Sequence, residues 1–147
     1  MSHPLFDLSG KVCLVTGGNS GIGLGFARGF AKCGADVVIW GRNPDKNAAA
    51  AEELRGLGAK VLAQQVDVTS EEQVRAGMAE AIERMGRLDC AFANAGISAG
   101  NSPSFIELDT ARFDEMLRTA LYGGFFTLRE AARHMVGRAK AGTPAAP

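Results

Sequence analysis

The sequence predicts an α/β fold in which a parallel sheet is covered by helices on both faces. Short apolar runs alternate along the chain with longer amphipathic runs, which is typical of strand–helix–strand units. Each apolar run is continuous, as in strands that are buried on both faces. A chain of 147 residues is long enough to form one domain with a substantial core.

Four strands and three intervening helices follow from these runs. The predicted strands are, in order, at about Val12–Val15, Asp36–Trp40, Lys60–Gln65 and Leu88–Ala93. The predicted helices between them are at about Ile22–Lys32, Pro44–Leu57 and Ser70–Met85. Ser70 suits the N-cap of the third helix, because Glu71 and Glu72 then occupy the first turn, where the helix dipole favours anions.

The last third of the chain contains a loop and two further predicted helices. The loop runs from Gly96 to Ser104, and it is followed by a short helix from Thr110 and a longer one at about 120–138. Apolar residues recur there at helical spacing, and we expect this face to pack on the sheet: Leu117, Leu121, Phe125, Leu128, Ala132 and Met135. We expect one domain over 1–141, and a disordered tail over 142–147, because two prolines exclude a central strand there.

Composition excludes several classes of partner. Lysine plus arginine and aspartate plus glutamate both number 16, so no net charge attracts nucleic acid or an anionic membrane. No apolar stretch approaches the roughly 18–20 residues of a membrane span, and the first eight residues lack the features of a signal peptide. The three cysteines have no metal-site spacing. We therefore expect a cytoplasmic protein without a metal.

A glycine-rich loop connects the first strand to the first helix. Gly17 permits the sharp turn, Gly21 allows a pyrophosphate to approach the backbone, and Gly23 lets the helix pack closely on the strand. The positions between them complete the candidate phosphate loop: Asn19, Ser20 and Ile22. No Gly-Lys-Ser/Thr follows, which excludes a P-loop. A glycine-rich octet alone could be a simple turn, but its place between strand and helix indicates a dinucleotide site.

The end of the second strand distinguishes NADP from NAD. An acidic residue there accepts hydrogen bonds from the ribose 2′-OH, whereas an arginine pairs with a 2′-phosphate. The strand ends in Gly41 and Arg42, while Asp36 begins it, about 13–17 Å from the carboxyl end. Arg42 could be a solvated loop residue. The alternative that we favour is a preference for NADP, with NAD as the second candidate.

Four segments together resemble the short-chain dehydrogenase/reductase family. They occur in order and at family-like spacing, and the resemblance covers nearly all of residues 5–140: Leu8–Val12, Thr16–Gly23, Asp67-Val68 and Asn94–Gly96. It implies a Rossmann-like, doubly wound parallel sheet. Relative to the family pattern this sheet is truncated, and its expected strand order is 3-2-1-4.

The resemblance also implies roles for single residues. Asp67 would contact the adenine amino group, and the Val68 backbone would lie against the adenine. Asn94 would brace the central sheet, while Ala95 and Gly96 would line the ribose. From the residues alone, Asp67 could instead cap the loop before Ser70, and Asn94 could simply form a turn.

The catalytic groups of the family find no match in these 147 residues. The family uses a serine, a Tyr-x-x-x-Lys pair and a helix asparagine. Ala120 stands at the asparagine position, and Tyr122, the single tyrosine, is followed four residues later by Phe126. Without the tyrosine–lysine pair, the proton that converts an alkoxide to an alcohol has no donor. The resemblance therefore implies a cofactor-binding half of an oxidoreductase, with little turnover of its unknown alcohol or ketone substrate.

Two further expectations follow. The fourth strand would be an uncovered apolar edge, and the helix at 120–138 resembles one that the family uses in dimers, so we expect a homo-oligomer. One alternative function is a non-catalytic dinucleotide-binding or interaction module, which the substitution at Ala120 and the missing tyrosine–lysine pair favour. Another is an enzyme that uses a different nucleotide or a methyl donor, which the segments at Asp67 and Asn94 disfavour.

Overall fold

Four parallel strands form one sheet in the order β3-β2-β1-β4. The computed structural model describes residues 4–98, 100 and 104–142. The strands are β1 (Val12–Thr16), β2 (Asp36–Gly41), β3 (Val61–Gln65) and β4 (Cys90–Phe92). This is the strand order that the sequence predicts. In the register of the sheet, Thr16 pairs with Trp40 and Gly41 with Gln65, so the carboxyl ends of the strands meet at one edge.

Helices connect the strands, as predicted. They are α1 (Gly21–Lys32), α2 (Pro44–Gly56), α3 (Glu71–Met85), α4 (Thr110–Leu117) and α5 (Gly123–Lys140). A π-helical segment, Arg118–Tyr122, joins α4 to α5, and a 3₁₀ turn, Pro4–Phe6, precedes β1. Ser70 caps α3 as predicted, because its side chain accepts a hydrogen bond from the Gln73 amide. Asn43 caps α2 in the same way, through the Lys46 amide.

The core lies on both faces of the sheet, as expected for a doubly wound fold. On one face, Leu14, Val38 and Trp40 pack against α3 and α5. On the other, Val37 and Ile39 pack against α1 and α2, whose buried positions are mostly alanine. These small side chains let the two helices approach the strands closely, which fixes the position of their first turns at the carboxyl edge.

The apolar face predicted for the last helix is wrong for most of its members, although Met135 packs against the core. Leu121 is 63% exposed and Phe125 is 55% exposed, and neither packs on the sheet. The buried positions of α5 are instead Gly123, Thr127, Glu130 and Ala131. The reason is close packing: a Cβ atom added to Gly123 would lie 2.6 Å from Val68 Cγ2. A small residue therefore has to face Val68 at this point, and several of the larger apolar side chains face outward.

The bounds of the fourth strand also differ from the sequence prediction. β4 covers Cys90–Phe92, and the two residues before it make other contacts. The Leu88 amide donates to His134 Nε2 (3.2 Å), and the Asp89 amide donates to the Val12 carbonyl (2.9 Å). The predicted tail falls almost entirely on residues 143–147, which lie outside the described residues. Within the described ranges, none of the helices combines the length and apolar content needed to cross a bilayer.

Candidate dinucleotide site

A cavity of about 430 Å³ opens at the carboxyl edge of the sheet. The loop after β1, the ends of β2 and β3, and the segment after β4 form its walls. All the predicted cofactor residues except Gly21 line it: Gly17, Asn19, Ser20, Ile22, Gly23, Gly41, Arg42, Asp67, Val68, Asn94, Ala95 and Gly96. Residues separated by nearly eighty positions in the chain therefore share one concave surface, which is where open α/β sheets bind ligands.

The glycine-rich loop turns sharply at the end of β1. Gly17 has a φ of 65°, and its amide donates to the Trp40 carbonyl (2.8 Å), which ties the loop to β2. Gly21, the first residue of α1, has a φ of 53°. Both φ values lie in the left-handed region that favours glycine. A Cβ atom added to Gly21 would have no protein atom within 4 Å, so the chain leaves space beside this backbone.

Gly23 lets the start of α1 lie directly against the loop. A Cβ atom at this position would lie 2.1 Å from the Gly17 carbonyl oxygen and 2.6 Å from Asn94 Nδ2. The side chain of Ser20 makes no capping hydrogen bond at the start of α1. The first amides of a helix have no partner within the helix, so this end offers donors to an anion in the cavity.

Asn94 braces the edge of the sheet, as the resemblance implied. Its Nδ2 donates to the Thr16 carbonyl (3.1 Å) at the end of β1. The Ala95 amide donates to Thr16 Oγ1 (2.9 Å), and Thr16 is almost completely buried. These two bonds fix the chain after β4 against the end of β1, and thereby set one wall of the cavity.

Asp67 both closes its own loop and lines the cavity. Its Oδ1 accepts hydrogen bonds from the Thr69 amide (2.9 Å) and from Thr69 Oγ1 (2.8 Å). The Asp67 amide donates to Gln73 Oε1 (2.9 Å), which anchors the loop to α3. The loop-capping role that the residues suggested is therefore present. Val68 is buried beside it, against Gly123.

Two cationic side chains lie at the end of the cavity beside β2. Arg42 is exposed, and its carbonyl accepts a hydrogen bond from Gln65 Nε2 (3.1 Å). Lys46, in the first turn of α2, lines the cavity with it, and so does Asn43. Sequence reasoning missed Lys46 and Asn43. The signal available was the N-cap pattern after Arg42, which places the first turn of α2 beside the end of β2.

The other side of the cavity contains no tyrosine among the described residues. Tyr122 lies on the π-helical segment, is 54% exposed and has its ring centroid 6.1 Å from that of Phe126. Ala120 does not line the cavity either, whereas Thr119, which sequence reasoning missed, does. Thr119 Oγ1 donates to the Glu115 carbonyl (2.9 Å). Over the described ranges, no group of three or more His, Cys, Asp or Glu side chains is placed to hold a metal ion.

Comparisons with known proteins agree on one family. The sequence profile of the short chain dehydrogenase family matches residues 11–143. Gluconate 5-dehydrogenase of Gluconobacter oxydans is 40% identical over 142 residues, which are 95% of this chain and 54% of that protein. The mitochondrial (-)-isopiperitenol/(-)-carveol dehydrogenase of Mentha piperita is 38% identical, over 92% of this chain and 51% of that protein.

Solved structures give the same result. A short-chain type dehydrogenase/reductase from Mycobacterium marinum superposes with a TM-score of 0.85 at 36% identity, over 91% of this chain and 53% of that chain. A 3-oxoacyl-acyl-carrier-protein reductase from Brucella melitensis, solved in complex with NAD, superposes with a TM-score of 0.79 at 36% identity, over 86% of this chain and 49% of that chain. This chain spans about half the length of the relatives that it matches. It belongs to the short-chain dehydrogenase family, whose members are oxidoreductases that depend on a nicotinamide dinucleotide.

Proposed function

We propose that this chain is the dinucleotide-binding part, over residues 1–141, of an oxidoreductase that transfers a hydride between NADP(H) and an alcohol or ketone. The observation that carries the proposal is the convergence of the predicted cofactor residues on one cavity at the carboxyl edge of the sheet. A bound nicotinamide dinucleotide supplies or accepts the hydride. The residues of this chain bind it, orient it and exclude water from part of its surface.

The chemistry of the cavity fits such a cofactor. The glycine-rich loop and the first turn of α1 present backbone donors, which suit a pyrophosphate. Gly23 has no side chain, so the start of α1 can lie directly against the glycine-rich loop. Asp67 and the Val68 backbone offer an acceptor and a flat contact for the adenine, and Ala95 and Gly96 leave room for a ribose. These are the roles that the family resemblance implies for these residues, and their shared position in the cavity supports them.

The end of β2 favours NADP over NAD in this proposal. Gly41 and Arg42 present no carboxylate where the 2′-position of the adenosine ribose would lie, and Arg42 can form two parallel hydrogen bonds to a phosphate. Lys46 adds a second positive charge on the same wall. Asp36, the acidic residue of β2, pairs with Val12 at the opposite end of the strand, so its carboxylate is remote from this wall.

We further propose that the 147-residue chain binds cofactor without efficient turnover. Protonation of the alkoxide needs a positioned acid, which contributes about 10²–10⁴-fold to the rate. Tyr122 lies outside the cavity, and its neighbour four residues later is Phe126, so it does not form the family's tyrosine–lysine pair. A non-catalytic dinucleotide-binding module is the second candidate function, which Ala120 at the asparagine position and the missing tyrosine–lysine pair favour.

The test is a fluorescence titration of the purified chain with NADPH and, separately, with NADH. The proposal predicts saturable binding of both cofactors, with NADPH at least about tenfold tighter because it adds a charged hydrogen-bonding partner for Arg42. Absence of binding by either cofactor would overturn it. In parallel, NADPH oxidation is followed with a panel of ketones, using protein whose length is verified by mass spectrometry. Robust oxidation would contradict the proposed lack of turnover.

Location and assembly complete the proposal. Cys13, Cys33 and Cys90 are free thiols, which are common in reducing compartments, and we propose that the protein works in the cytoplasm. We also propose that it forms a homo-oligomer, because no described strand pairs with the outer edge of β4 and α5 exposes large apolar side chains.

A further inference from the structure

Asn47 is a buried polar residue that the sequence motifs do not include. It lies on the inner face of α2 and is only 5% exposed. Its Nδ2 donates to the carbonyl oxygens of Gly41 (2.9 Å) and Gln64 (3.1 Å). Its Oδ1 accepts a hydrogen bond from Asn19 Nδ2 (2.7 Å). One side chain therefore joins α2 to the ends of two strands and to the phosphate loop.

The surrounding acceptors fix the orientation of both amides. Two carbonyl oxygens face one end of the Asn47 side chain, so that end has to be the NH₂ group. The Oδ1 atom then faces Asn19, which has to present its own NH₂ group in return. Ser20 Oγ, on the other side, donates to Asn19 Oδ1 (3.4 Å). The Asn19 side chain is thus held in one orientation in the wall of the cavity.

This pair of amides explains why residue 41 is a glycine. The φ of Gly41 is not positive, so its backbone conformation does not require a glycine. The lack of space does require one, because a Cβ atom at residue 41 would lie 2.1 Å from Asn19 Nδ2 and 2.5 Å from Asn47 Oδ1. Any side chain at residue 41 has to break the Asn19–Asn47 hydrogen bond. The buried Asn47 oxygen would then lose its partner, which is costly.

We infer that Asn47 is a positioning residue for cofactor selection. It holds the Asn19 amide over Gly41, the residue before Arg42, and so closes position 41 to the acidic side chain that favours NAD. The inference rests on the proposed NADP preference. It assigns that preference to a hydrogen bond between α2 and the phosphate loop, in addition to the charge of Arg42. Asn47 acts through Asn19 and does not itself have to touch the cofactor.

The first experiment compares the ratio of the NADH and NADPH dissociation constants in Asn47→Ala, Asn19→Ala and the double variant. Each single variant is expected to lower the ratio about fivefold, as for the loss of one hydrogen bond. The double variant is expected to lower it no further than Asn19→Ala does, because Asn47 acts through Asn19. Asn19→Ala leaves both carbonyl bonds of Asn47 in place, so it tests the inference even if Asn47→Ala does not fold.

Ala48→Gly is the matched control for helix stability. It changes the next, exposed residue of α2, and it lowers the thermal midpoint through helix propensity alone. The cofactor ratio is expected to stay at the wild-type value in this control. If Asn19→Ala and Asn47→Ala lower the thermal midpoint and also leave the ratio at the wild-type value, Asn47 has only a structural role and the inference is overturned.

The second experiment introduces the acidic residue. Gly41→Asp alone is expected to gain no affinity for NADH, whereas Gly41→Asp combined with Asn47→Ala is expected to gain about tenfold relative to the single variant. An equal gain in both would show that position 41 is not held closed. Failure of the proposed function is distinguishable from failure of this inference, because it appears as absence of cofactor binding by the wild type. Without cofactor, the losses in thermal midpoint of Asn19→Ala and Asn47→Ala are expected to be non-additive in the double variant, whether or not the protein binds a cofactor.

Discussion

At the scale of single residues, the site depends on places where one added carbon atom has no room. Gly23 is the clearest case, since its missing side chain lets the first turn of α1 lie against the Gly17 carbonyl and the Asn94 amide. Gly25, two residues later in the same helix, has open space around a Cβ atom. Two glycines of one helix are therefore expected to respond to the same substitution in opposite directions.

Gly23→Ala is predicted to lower the free energy of unfolding by about 3 kcal/mol, since the methyl group meets backbone atoms that cannot move independently. Gly25→Ala is predicted to raise it by about 0.5–1 kcal/mol, because alanine is the better residue in a helix interior. Urea denaturation of both variants measures the difference. A loss of similar size in both would show that the close contact at Gly23 is not what the loop depends on.

Arg42→Ala is predicted to weaken NADPH binding by about 10- to 100-fold, which is the range for losing a hydrogen-bonded charge partner. NADH binding is expected to change little, because NADH carries no 2′-phosphate. The measurement is a fluorescence titration with each cofactor. Arg84→Ala, which removes a surface ion pair with Glu80 on α3, serves as the control. Equal weakening of both cofactors by Arg42→Ala would assign the arginine a role other than 2′-phosphate recognition.

At the scale of elements, α5 is attached to β4 through a histidine that has to be neutral. His134 Nε2 accepts the Leu88 amide hydrogen, and Arg138 Nη1 reaches the Leu88 carbonyl and Asp89 Oδ1, both at 3.3 Å. Partial burial lowers the pKa of His134 and Arg138 lowers it further, while Asp89 opposes them. A protonated imidazole cannot accept the amide hydrogen, so the contact between the two elements depends on pH.

The sign of that dependence follows from the lowered pKa of His134. In the unfolded chain the histidine has its ordinary pKa of about 6.5, which is higher than its pKa in the folded protein. The stabilisation from neutral His134 is therefore complete above pH 6.5, and it is lost as the pH falls through the folded pKa. The urea midpoint is therefore predicted to decrease between pH 7.5 and pH 5.5. In His134→Gln, whose amide oxygen can accept the same bond without titrating, the decrease should be smaller. An identical decrease in both proteins would remove His134 as its cause.

The sequence predicts those elements whose signal is local. The four strands, the helices between them and the Ser70 cap all follow from runs and caps that can be seen within a few residues. The buried face of α5 does not, because Gly123, Thr127 and Glu130 are small or polar, and the approach of Val68 that requires a glycine at residue 123 is a tertiary contact. The length of β4 is likewise set by tertiary hydrogen bonds, which the Leu88 amide donates to His134 and the Asp89 amide donates to the Val12 carbonyl.

The residues of the candidate site also fall into those that local motifs predict and those that they do not. Gly17, Arg42 and Asn94 belong to segments with recognisable motifs, and the structure brings them together. Asn47 and Lys46 carry no motif, since their importance comes from where the first turns of α2 lie relative to β2. A sequence contains that information only through the long-range packing of the helix on the sheet, which local patterns do not report.

At the scale of the whole molecule, a stripe of large apolar side chains remains on the surface. We call it the α4–α5 stripe, and it consists of Leu117, Leu121, Phe125, Leu128 and Val136, all at least a third exposed. A contiguous apolar surface of this kind is typical of an interface between proteins. It supports the expected homo-oligomer more strongly than the short β4 edge does.

Leu121→Glu combined with Leu128→Glu is predicted to shift the protein from an oligomer to a monomer, since charge in the interface costs desolvation energy. Light scattering coupled to size-exclusion chromatography measures the mass. Leu57→Glu, at an exposed apolar residue outside the stripe, is the control and should leave the mass unchanged. A wild-type protein that is monomeric at high concentration would contradict this assignment.

The central claim is that the carboxyl edge of this sheet holds a nicotinamide dinucleotide. The most direct test is an amide NMR titration of the isotope-labelled chain with NADPH. The account predicts saturable shifts concentrated in the segments that line the cavity: Gly17–Gly23, Gly41–Arg42, Asp67-Val68 and Asn94–Gly96. It also predicts little change at the opposite end of the sheet, around Asp36 and Asp89. Absence of shifts in the cavity segments, or shifts centred on the opposite end, would contradict it.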